Sequence, residues 1–191
     1  MWQQIIPGLR ITFFMTVLTG ILYPLAVTGF CQAFFPYQAN GSLIRSGGRV
    51  VGSELIGQGF ARPEYFRGRP SAAGYDATAS GGSNLGPTNV KLIGRVKASV
   101  EEFRKETPDF KGPIPADLLT ASASGLDPHL SPAGAEAQAV RISGARGVAL
   151  DQVNRLIAQL TEAPDFGLIG EPRVNVLRLN LALDQRFPVK R

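Results

Sequence analysis

The chain has 191 residues, with 20 lysine or arginine residues against 15 aspartate or glutamate residues, and a formal net charge of +5. The basic residues are dispersed and do not cluster with aromatic residues, which argues against a nucleic-acid-binding surface. One histidine and one cysteine leave no ordinary ligand set for zinc, so we predict no metal site. The sequence has no heptads and no internal repeat, and its length is sufficient for one folded core.

Residues 11–35, ITFFMTVLTGILYPLAVTGFCQAFF, carry no charge and are mostly apolar. About 20 helical residues suffice to cross a bilayer, because a helix rises about 1.5 Å per residue and the hydrocarbon core is about 30 Å thick. The segment therefore predicts one transmembrane helix over residues 11–35, preceded by a short cytoplasmic N-terminus at residues 1–10. A cleaved signal peptide has a shorter apolar core, and Phe30 is too bulky to precede a lipidated Cys31.

Small or weakly polar residues recur at every fourth position of this apolar segment. Such residues let helices approach closely in lipid, where packing drives association. Pro24 is expected to bend the helix and to free a backbone carbonyl group that a neighbouring helix could satisfy. We therefore predict a stripe that packs against partner helices, with an accidental recurrence of common membrane-helix residues as the alternative. The stripe consists of Thr12, Thr16, Gly20, Pro24 and Thr28.

The remainder of the chain predicts a connector at residues 36–48 and a soluble α+β domain at residues 49–191. Residues 60–70, FARPEYFRGRP, interleave aromatic residues with arginines. Such a pattern is typical either of a surface that stacks on bases or grips phosphate, or of aromatic residues that pack inward beneath solvated arginines. The run is single and short, which favours inward packing.

Five segments of this domain have a clear periodicity or capping signal. Apolar residues at helical spacing predict helices at residues 90–106 and 132–146, the second with Ser131 as its N-cap. Asp151 is expected to cap a third helix. Residues 49–56 predict a short strand and turn, and the alternating leucines of residues 173–184, RVNVLRLNLALD, predict a half-buried strand. Strands early and late with helices between them indicate an α+β fold.

Residues 71–89, SAAGYDATASGGSNLGPTN, are rich in glycine, serine and alanine and contain no basic residue. A structureless loop of this length within a compact domain is uncommon and is usually functional or disordered. No GxxxxGK[ST] pattern accompanies its glycines, so a phosphate-binding loop is disfavoured. Pro87 suits the first turn of the following helix. We predict a partner-contact loop whose residues are Tyr75, Asp76, Ser80, Gly81, Gly82, Ser83, Asn84 and Asn89.

Asp127 and the only histidine, His129, lie in a second polar segment at residues 113–131. Their separation by one residue, beside a proline, does not establish a catalytic triad, and no GxSxG elbow is present. We therefore predict that they form a structural turn and that the chain has no catalytic residues. The alternative is a membrane-anchored hydrolase in which Ser80, Ser83 or Asp76 acts with His129.

Taken together, five blocks of sequence resemble the KdpC family, the C subunits of Kdp potassium-transporting ATPases. The resemblance covers nearly the whole chain, and the blocks occur in the family's order and spacing. They are LTGILYPLAVTG (18–29), FRGRPSAAGYDATASGGSNLGPTN (66–89), IPADLLTASASGLDPHLSP (114–132), AEAQAVRISGARG (135–147) and GEPRVNVLRLNLALD (170–184).

The resemblance implies an accessory subunit of a high-affinity, ATP-driven potassium uptake complex. Such a subunit stabilises assembly and is a catalytic chaperone that raises the ATP affinity of the P-type ATPase subunit. The implied partners are that subunit, a channel-like potassium-translocating subunit and a small single-helix subunit. The implied location is the bacterial inner (plasma) membrane, with one span and an extracytoplasmic, periplasmic domain.

An exported domain cannot reach cytoplasmic ATP, which argues against direct ATP binding by this chain. ATP is therefore expected to act through the ATPase subunit, and potassium is expected only as the transported ion, without a site of its own here. The chain also lacks the DKTGT phosphorylation motif and cannot pump alone. A purely structural anchor, without effect on turnover, is a further alternative to the chaperone role.

Overall fold

The computed structural model describes residues 2–189, and the chain divides into two compact units, residues 1–51 and 52–191. The first unit opens with a continuous helical stretch, Trp2–Phe34, none of which is buried. It comprises α1 (Trp2–Val17), a π-helical turn (Leu18–Leu22) and α2 (Tyr23–Phe34). At about 1.5 Å per residue, the stretch is about 50 Å long, which exceeds the thickness of a bilayer core. The helix contains all but the last residue of the predicted span and begins nine residues earlier.

The π-helical turn lies immediately before Pro24, where the sequence predicts a bend. Proline has no N–H group and cannot complete the regular hydrogen-bond ladder of an α-helix. Here the N–H group of Tyr23 instead donates to the carbonyl oxygen of Leu18, five residues back. Within the same π-helical turn, the hydroxyl group of Thr19 donates to the carbonyl oxygen of Met15 in α1 at 2.6 Å. The helix thus continues past Pro24 with a locally widened turn.

The predicted connector contains regular structure of its own. A short helix, α3 (Pro36–Ala39), is followed by the strands β1 (Leu43–Ser46) and β2 (Arg49–Ser53), which form a two-stranded sheet. The turn between the strands uses Gly47 and Gly48, both at positive φ, a conformation that glycine adopts without steric cost. The strand predicted within residues 49–56 is therefore present as β2.

In its described residues, the second unit combines four α-helices and one 3-10 helix (Ala116–Leu118) with a small antiparallel sheet, which confirms a mixed α/β fold. The sheet has the order β3–β5–β4, with β3 at His129–Leu130, β4 at Thr161–Glu162 and β5 at Arg173–Asn175. Its register pairs Val174 with Leu130 on one side and with Thr161 on the other. The helices are α4 (Val90–Glu106), α5 (Pro132–Arg146), α6 (Leu150–Leu160) and α7 (Val176–Arg186).

One hydrophobic core lies between the sheet and helices α5, α6 and α7. Burying such side chains is the main favourable contribution to folding, about 1.5–3 kcal/mol for each large one. Helix α4 contributes no fully buried residue, in agreement with its predicted surface position. The buried core comprises Phe66, Leu130, Ala135, Ala139, Ile142, Val153, Leu156, Ile157, Val174, Val176, Leu179 and Leu183.

The predicted bounds of α4 and α5 are confirmed, but the positions predicted for Pro87 and Asp151 at helix N-termini need correction. The hydroxyl group of Ser131 accepts from the N–H group of Gly134, as an N-cap does, and Gly147 ends α5 in the left-handed conformation. The N-cap of α4 is Asn89, and Pro87 lies in the turn before it. Similarly, α6 starts after Ala149, so Asp151 lies within its first turn instead of capping it.

The strand predicted at residues 173–184 is wrong beyond Asn175. The side chain of Asn175 accepts a hydrogen bond from the N–H group of Arg178 at 3.1 Å and starts α7. Positions 176, 179, 180 and 183 are buried, which is the spacing of one helical face. The alternating leucines suggested a strand with a two-residue period. In such a strand Asn180 would lie on the exposed face, but it is buried.

Candidate functional site

The two polar segments that the sequence singles out lie against each other. The N–H group of Ser122 donates to the carbonyl oxygen of Pro70 at 3.0 Å, and that of Gly81 donates to the carbonyl oxygen of Ser124 at 2.8 Å. The hydroxyl group of Ser71 donates to the carbonyl oxygen of Gly125 at 2.6 Å. We call this pairing of residues 70–82 with residues 122–127 the polar clasp. Residues 71–89 have no helix or strand, as predicted, yet they are attached at several points.

Glycines permit the close approach of the two sides of the polar clasp. A Cβ atom on Gly125 would lie 2.9 Å from the carbonyl oxygen of Gly81, and its φ of +68° is unfavourable for other residues. A Cβ atom on Gly82 would lie 2.9 Å from the carbonyl oxygen of Ala123. Packing within the clasp thus explains Gly82 and Gly125, whereas a Cβ atom on Gly81 would meet nothing within 4 Å.

Tyr75 fastens the beginning of the loop. Its hydroxyl group donates to the carbonyl oxygen of Arg69 at 2.5 Å, and its N–H group donates to the hydroxyl oxygen of Ser71 at 2.9 Å. Burial, and secondarily the negative charge of Asp127, raise the pKa of the Tyr75 phenol above its ordinary value. Tyr75 is therefore a neutral donor that holds the loop to the preceding segment.

The outer edge of the loop carries the other predicted contact residues. The carboxylate of Asp76 accepts hydrogen bonds from the hydroxyl and N–H groups of Thr78, which lower its pKa. Asn84 is exposed and has a positive φ of 50°, whereas Asn89 is the N-cap of α4. Ser80, whose hydroxyl group donates to the carbonyl oxygen of Ser124, is also exposed. Residues 76–80 and Asn84 are thus part of the exposed edge of the loop.

A hydrogen bond links the side chain of Asp127 to the backbone of His129, the first residue of β3. One carboxylate oxygen of Asp127 accepts from the N–H group of His129 at 3.0 Å, and the other accepts from the guanidinium of Arg69 at 3.2 Å. Burial lowers the pKa of the His129 imidazole below its ordinary value, despite the nearby Asp127 charge. The imidazole nitrogen is 3.8 Å from Asp127, which is too long for a hydrogen bond. His129 is therefore neutral at pH 7 and lines a cavity of about 390 Å³ with Arg69 and Arg173.

The residues of the alternative hydrolase are not brought together by any described contact. Asp76 bonds to Thr78, Ser80 bonds to a backbone carbonyl group, and the Ser83 hydroxyl group accepts from Arg95 at 3.5 Å. None of the three lines the cavity that holds His129. Within residues 2–189, no group of three or more metal-ligating side chains is present either.

A buried pair of amide side chains holds the segment that precedes the loop. The amide of Asn180 in α7 accepts from the N–H group of Phe66 at 2.8 Å and donates to its carbonyl oxygen at 2.9 Å. The amide of Gln138 in α5 does the same for Arg67, at 2.9 and 3.0 Å. We call Gln138 and Asn180 the amide clamp. This clamp was not predicted from the sequence, although an amide within a run of alanines or leucines was a signal for it.

Charged groups complete the attachment of this segment. Both carboxylate oxygens of Glu106, at the end of α4, accept from the guanidinium of Arg67 at 2.7 Å. Phe66 is fully buried, which confirms the inward packing of that aromatic residue. Arg67 and Arg69, however, pair with Glu106 and Asp127 instead of facing only water. Residues 66–70 therefore connect α4, α5, α7 and the polar clasp.

Comparison with known proteins identifies the family. The family described as "KdpC: K+-transporting ATPase, c chain" matches residues 5–185. The chain belongs to the KdpC family. A Myxococcus xanthus protein named potassium-transporting ATPase KdpC subunit is 58% identical over 98% of this chain and 90% of its own length. Proteins of the same name from Caulobacter vibrioides (57% identical, 98% of this chain and 96% of their own length covered) and Rhodospirillum rubrum (51% identical, 99% and 99%) are similar over nearly their full lengths.

Family membership confirms the resemblance drawn from the five sequence blocks. In this KdpC-family chain, those blocks coincide with the structural features described above. The block at 18–29 contains the π-helical turn, and the blocks at 66–89 and 114–132 form the polar clasp. The blocks at 135–147 and 170–184 contribute the two halves of the amide clamp.

Proposed function

We propose that this chain is the accessory subunit of a high-affinity, ATP-driven potassium uptake complex in the bacterial inner membrane. The observation that carries the proposal is the near full-length similarity to proteins named potassium-transporting ATPase KdpC subunit. The exposed helix at Trp2–Phe34 supports a single membrane span, since large apolar side chains along it face outward. The soluble unit, residues 52–191, is placed on the extracytoplasmic side, and its partners are the translocating, P-type ATPase and small single-helix subunits.

We further propose that the chain stabilises this complex and raises the ATP affinity of the P-type ATPase subunit. ATP acts on that subunit, and an extracytoplasmic unit has no access to it, so coupling passes through the membrane helices. Such coupling requires only that the chain bind one state of the pump more tightly than another. The internal hydrogen bonds of Asp76, Ser80 and Tyr75 support a binding role for the loop over a catalytic one.

The proposed contacts are the stripe on the helix and the exposed edge of the loop. The stripe residues Thr16 and Gly20 adjoin each other, because a Cβ atom on Gly20 would lie 4.0 Å from the Thr16 methyl group and meet nothing closer. A partner helix can approach closely at such a site. Replacing both residues by leucine is expected to weaken co-purification of the complex. Undiminished co-purification would show that the stripe is not a contact with a partner helix. Shortening residues 76–80 is expected to reduce potassium uptake or assembly.

The decisive experiment measures potassium-stimulated ATP hydrolysis by the complex with and without this chain over a range of ATP concentrations. We expect that omission raises the ATP concentration needed for half-maximal activity. An unchanged value, with loss of assembly alone, would instead support a purely structural anchor. Protease added outside sealed membrane vesicles tests the topology. It should remove residues after Phe35 in right-side-out vesicles and should leave them intact in inside-out vesicles.

A further inference from the structure

The loop at residues 164–170, between β4 and β5, presents three large apolar side chains to solvent. Phe166 is 93% exposed, Leu168 is 89% exposed and Ile169 is 63% exposed. We call residues 164–170 the apolar loop. A contiguous exposed apolar patch on a soluble unit commonly marks an interaction site, whereas single exposed apolar residues need no explanation. Three such residues within four positions form a patch.

The apolar loop is held in one conformation by its own backbone and by charged neighbours. The N–H group of Asp165 donates to the carbonyl oxygen of Ile169 at 2.8 Å, and that of Ile169 donates back at 3.0 Å. The guanidinium of Arg173 donates to both carboxylate oxygens of Asp165, at 3.2 and 3.4 Å, and to Glu162 at 3.1 Å. The apolar side chains are therefore displayed on a fixed support, which reduces the entropy lost on binding.

The backbone conformation at Phe166 shows that the loop does not need a phenylalanine for its own fold. Its φ of 55° lies in the left-handed region, where glycine or asparagine is favoured and a bulky residue is an outlier. The ring is almost fully exposed, so packing in the core of this chain does not compensate for the strain. Strained residues of this kind cluster at functional sites. The aromatic ring is therefore best explained by a contact outside this chain.

The charges around the apolar loop select the type of partner. Residues 161–173 contain Glu162, Asp165 and Glu171 but only one basic residue, Arg173, which is already paired with two of these acids. A net negative loop is repelled by an anionic lipid surface, which attracts basic segments instead. Two copies of the loop facing each other would likewise bring like charges together. An apolar pocket with a basic rim on a different protein has the complementary charge.

We propose that the apolar loop inserts into an apolar, basic-rimmed pocket on another subunit of the potassium-transporting complex, with Phe166 and Leu168 as its anchors. The proposal rests on the proposed function, since it requires that complex. It adds a specific contact surface that lies in a different part of the chain from the helix stripe and the polar clasp. A few buried side chains, often aromatic, dominate the affinity of many interfaces.

The first test places a photo-crosslinking benzoyl-phenylalanine at position 166 of the full chain, expressed with the partner subunits. The matched control carries the same group at Val90, which is 82% exposed and lies elsewhere in the same unit. We expect illumination to link position 166, but not position 90, to another subunit. A link from position 166 to lipid or to a second copy of this chain, or no link, would overturn the proposal.

The second test measures the affinity of the full chain for the remaining subunits. Phe166→Asn removes the ring and retains a residue that tolerates the left-handed conformation, and Leu168→Gln removes the second anchor. We expect the double variant to bind about 10- to 100-fold more weakly, and Val90→Gln to bind like the wild type. Equal affinity of the double variant would overturn the proposal alone. Failure of the wild-type chain to associate with those subunits would overturn the proposed function and this inference together.

Discussion

Replacing Asn180 by leucine tests whether the amide clamp holds the segment before the loop. Leucine has nearly the same shape but cannot bond to the backbone of Phe66, which is fully buried. The substitution leaves one N–H group and one carbonyl group without a partner, at about 1–3 kcal/mol each. We expect a loss of about 3 kcal/mol in the free energy of unfolding. In a unit of this size, that loss corresponds to a melting temperature lower by about 10 °C.

The measurement is urea-induced unfolding of the full chain in detergent micelles, followed by far-ultraviolet circular dichroism. Gln185→Leu is the matched control, because Gln185 lies on the same helix and is exposed. We expect the control to change the free energy of unfolding by less than about 0.5 kcal/mol. If Asn180→Leu behaves like the control, the hydrogen bonds of the amide clamp do not hold this segment, and our reasoning about it is refuted.

Three further measurements follow from the structure. Because burial lowers the pKa of His129 below its ordinary 6.5, the unfolded chain binds the proton more tightly. Stability should fall as pH decreases from about 6.5 towards the lower folded pKa, and the only imidazole resonance should titrate below 6.5; a midpoint at or above it would contradict this. Gly125→Ala should destabilise by about 1–3 kcal/mol and speed proteolysis within residues 71–89. Gly144→Ala, in α5 with nothing within 4 Å of the new Cβ atom, should stabilise by about 0.5–1 kcal/mol. If Gly125→Ala and Gly144→Ala changed the free energy of unfolding equally, that result would argue against the close packing of the polar clasp.

Local signals were sufficient where they were unambiguous. Ser131 followed by Pro132, with Gly147 after the last turn, defined α5 at both ends, since caps act within a few residues. The long uncharged segment similarly predicted the N-terminal helix, because no charge interrupts it. The family resemblance, which depends on five short blocks of sequence, was also recognisable from the residues.

Elements that depend on tertiary contacts were not predictable in the same way. The leucines of α7 fit both a two-residue and a 3.6-residue period, and only the burial of Asn180 against Phe66 distinguishes them. The polar clasp could not be predicted, because it depends on contact between Ser124 and Gly81, which are 43 positions apart in the sequence. The apolar loop was not predicted, because periodicity cannot show whether Phe166, Leu168 and Ile169 are buried or exposed in so short a run.

The π-helical turn changes which way the small residues of the N-terminal helix point. In a regular α-helix, four residues rotate about 40° beyond one full turn, so the positions from Thr12 to Thr28 would drift by about 160°. A turn closed by a five-residue bond takes up about one extra residue, which offsets about 100° of that drift. The five positions therefore fall within an arc of about 60°, and one straight neighbour could contact both ends of the series. Without Pro24 and its widened turn, the first and last threonines would point to nearly opposite sides of the helix.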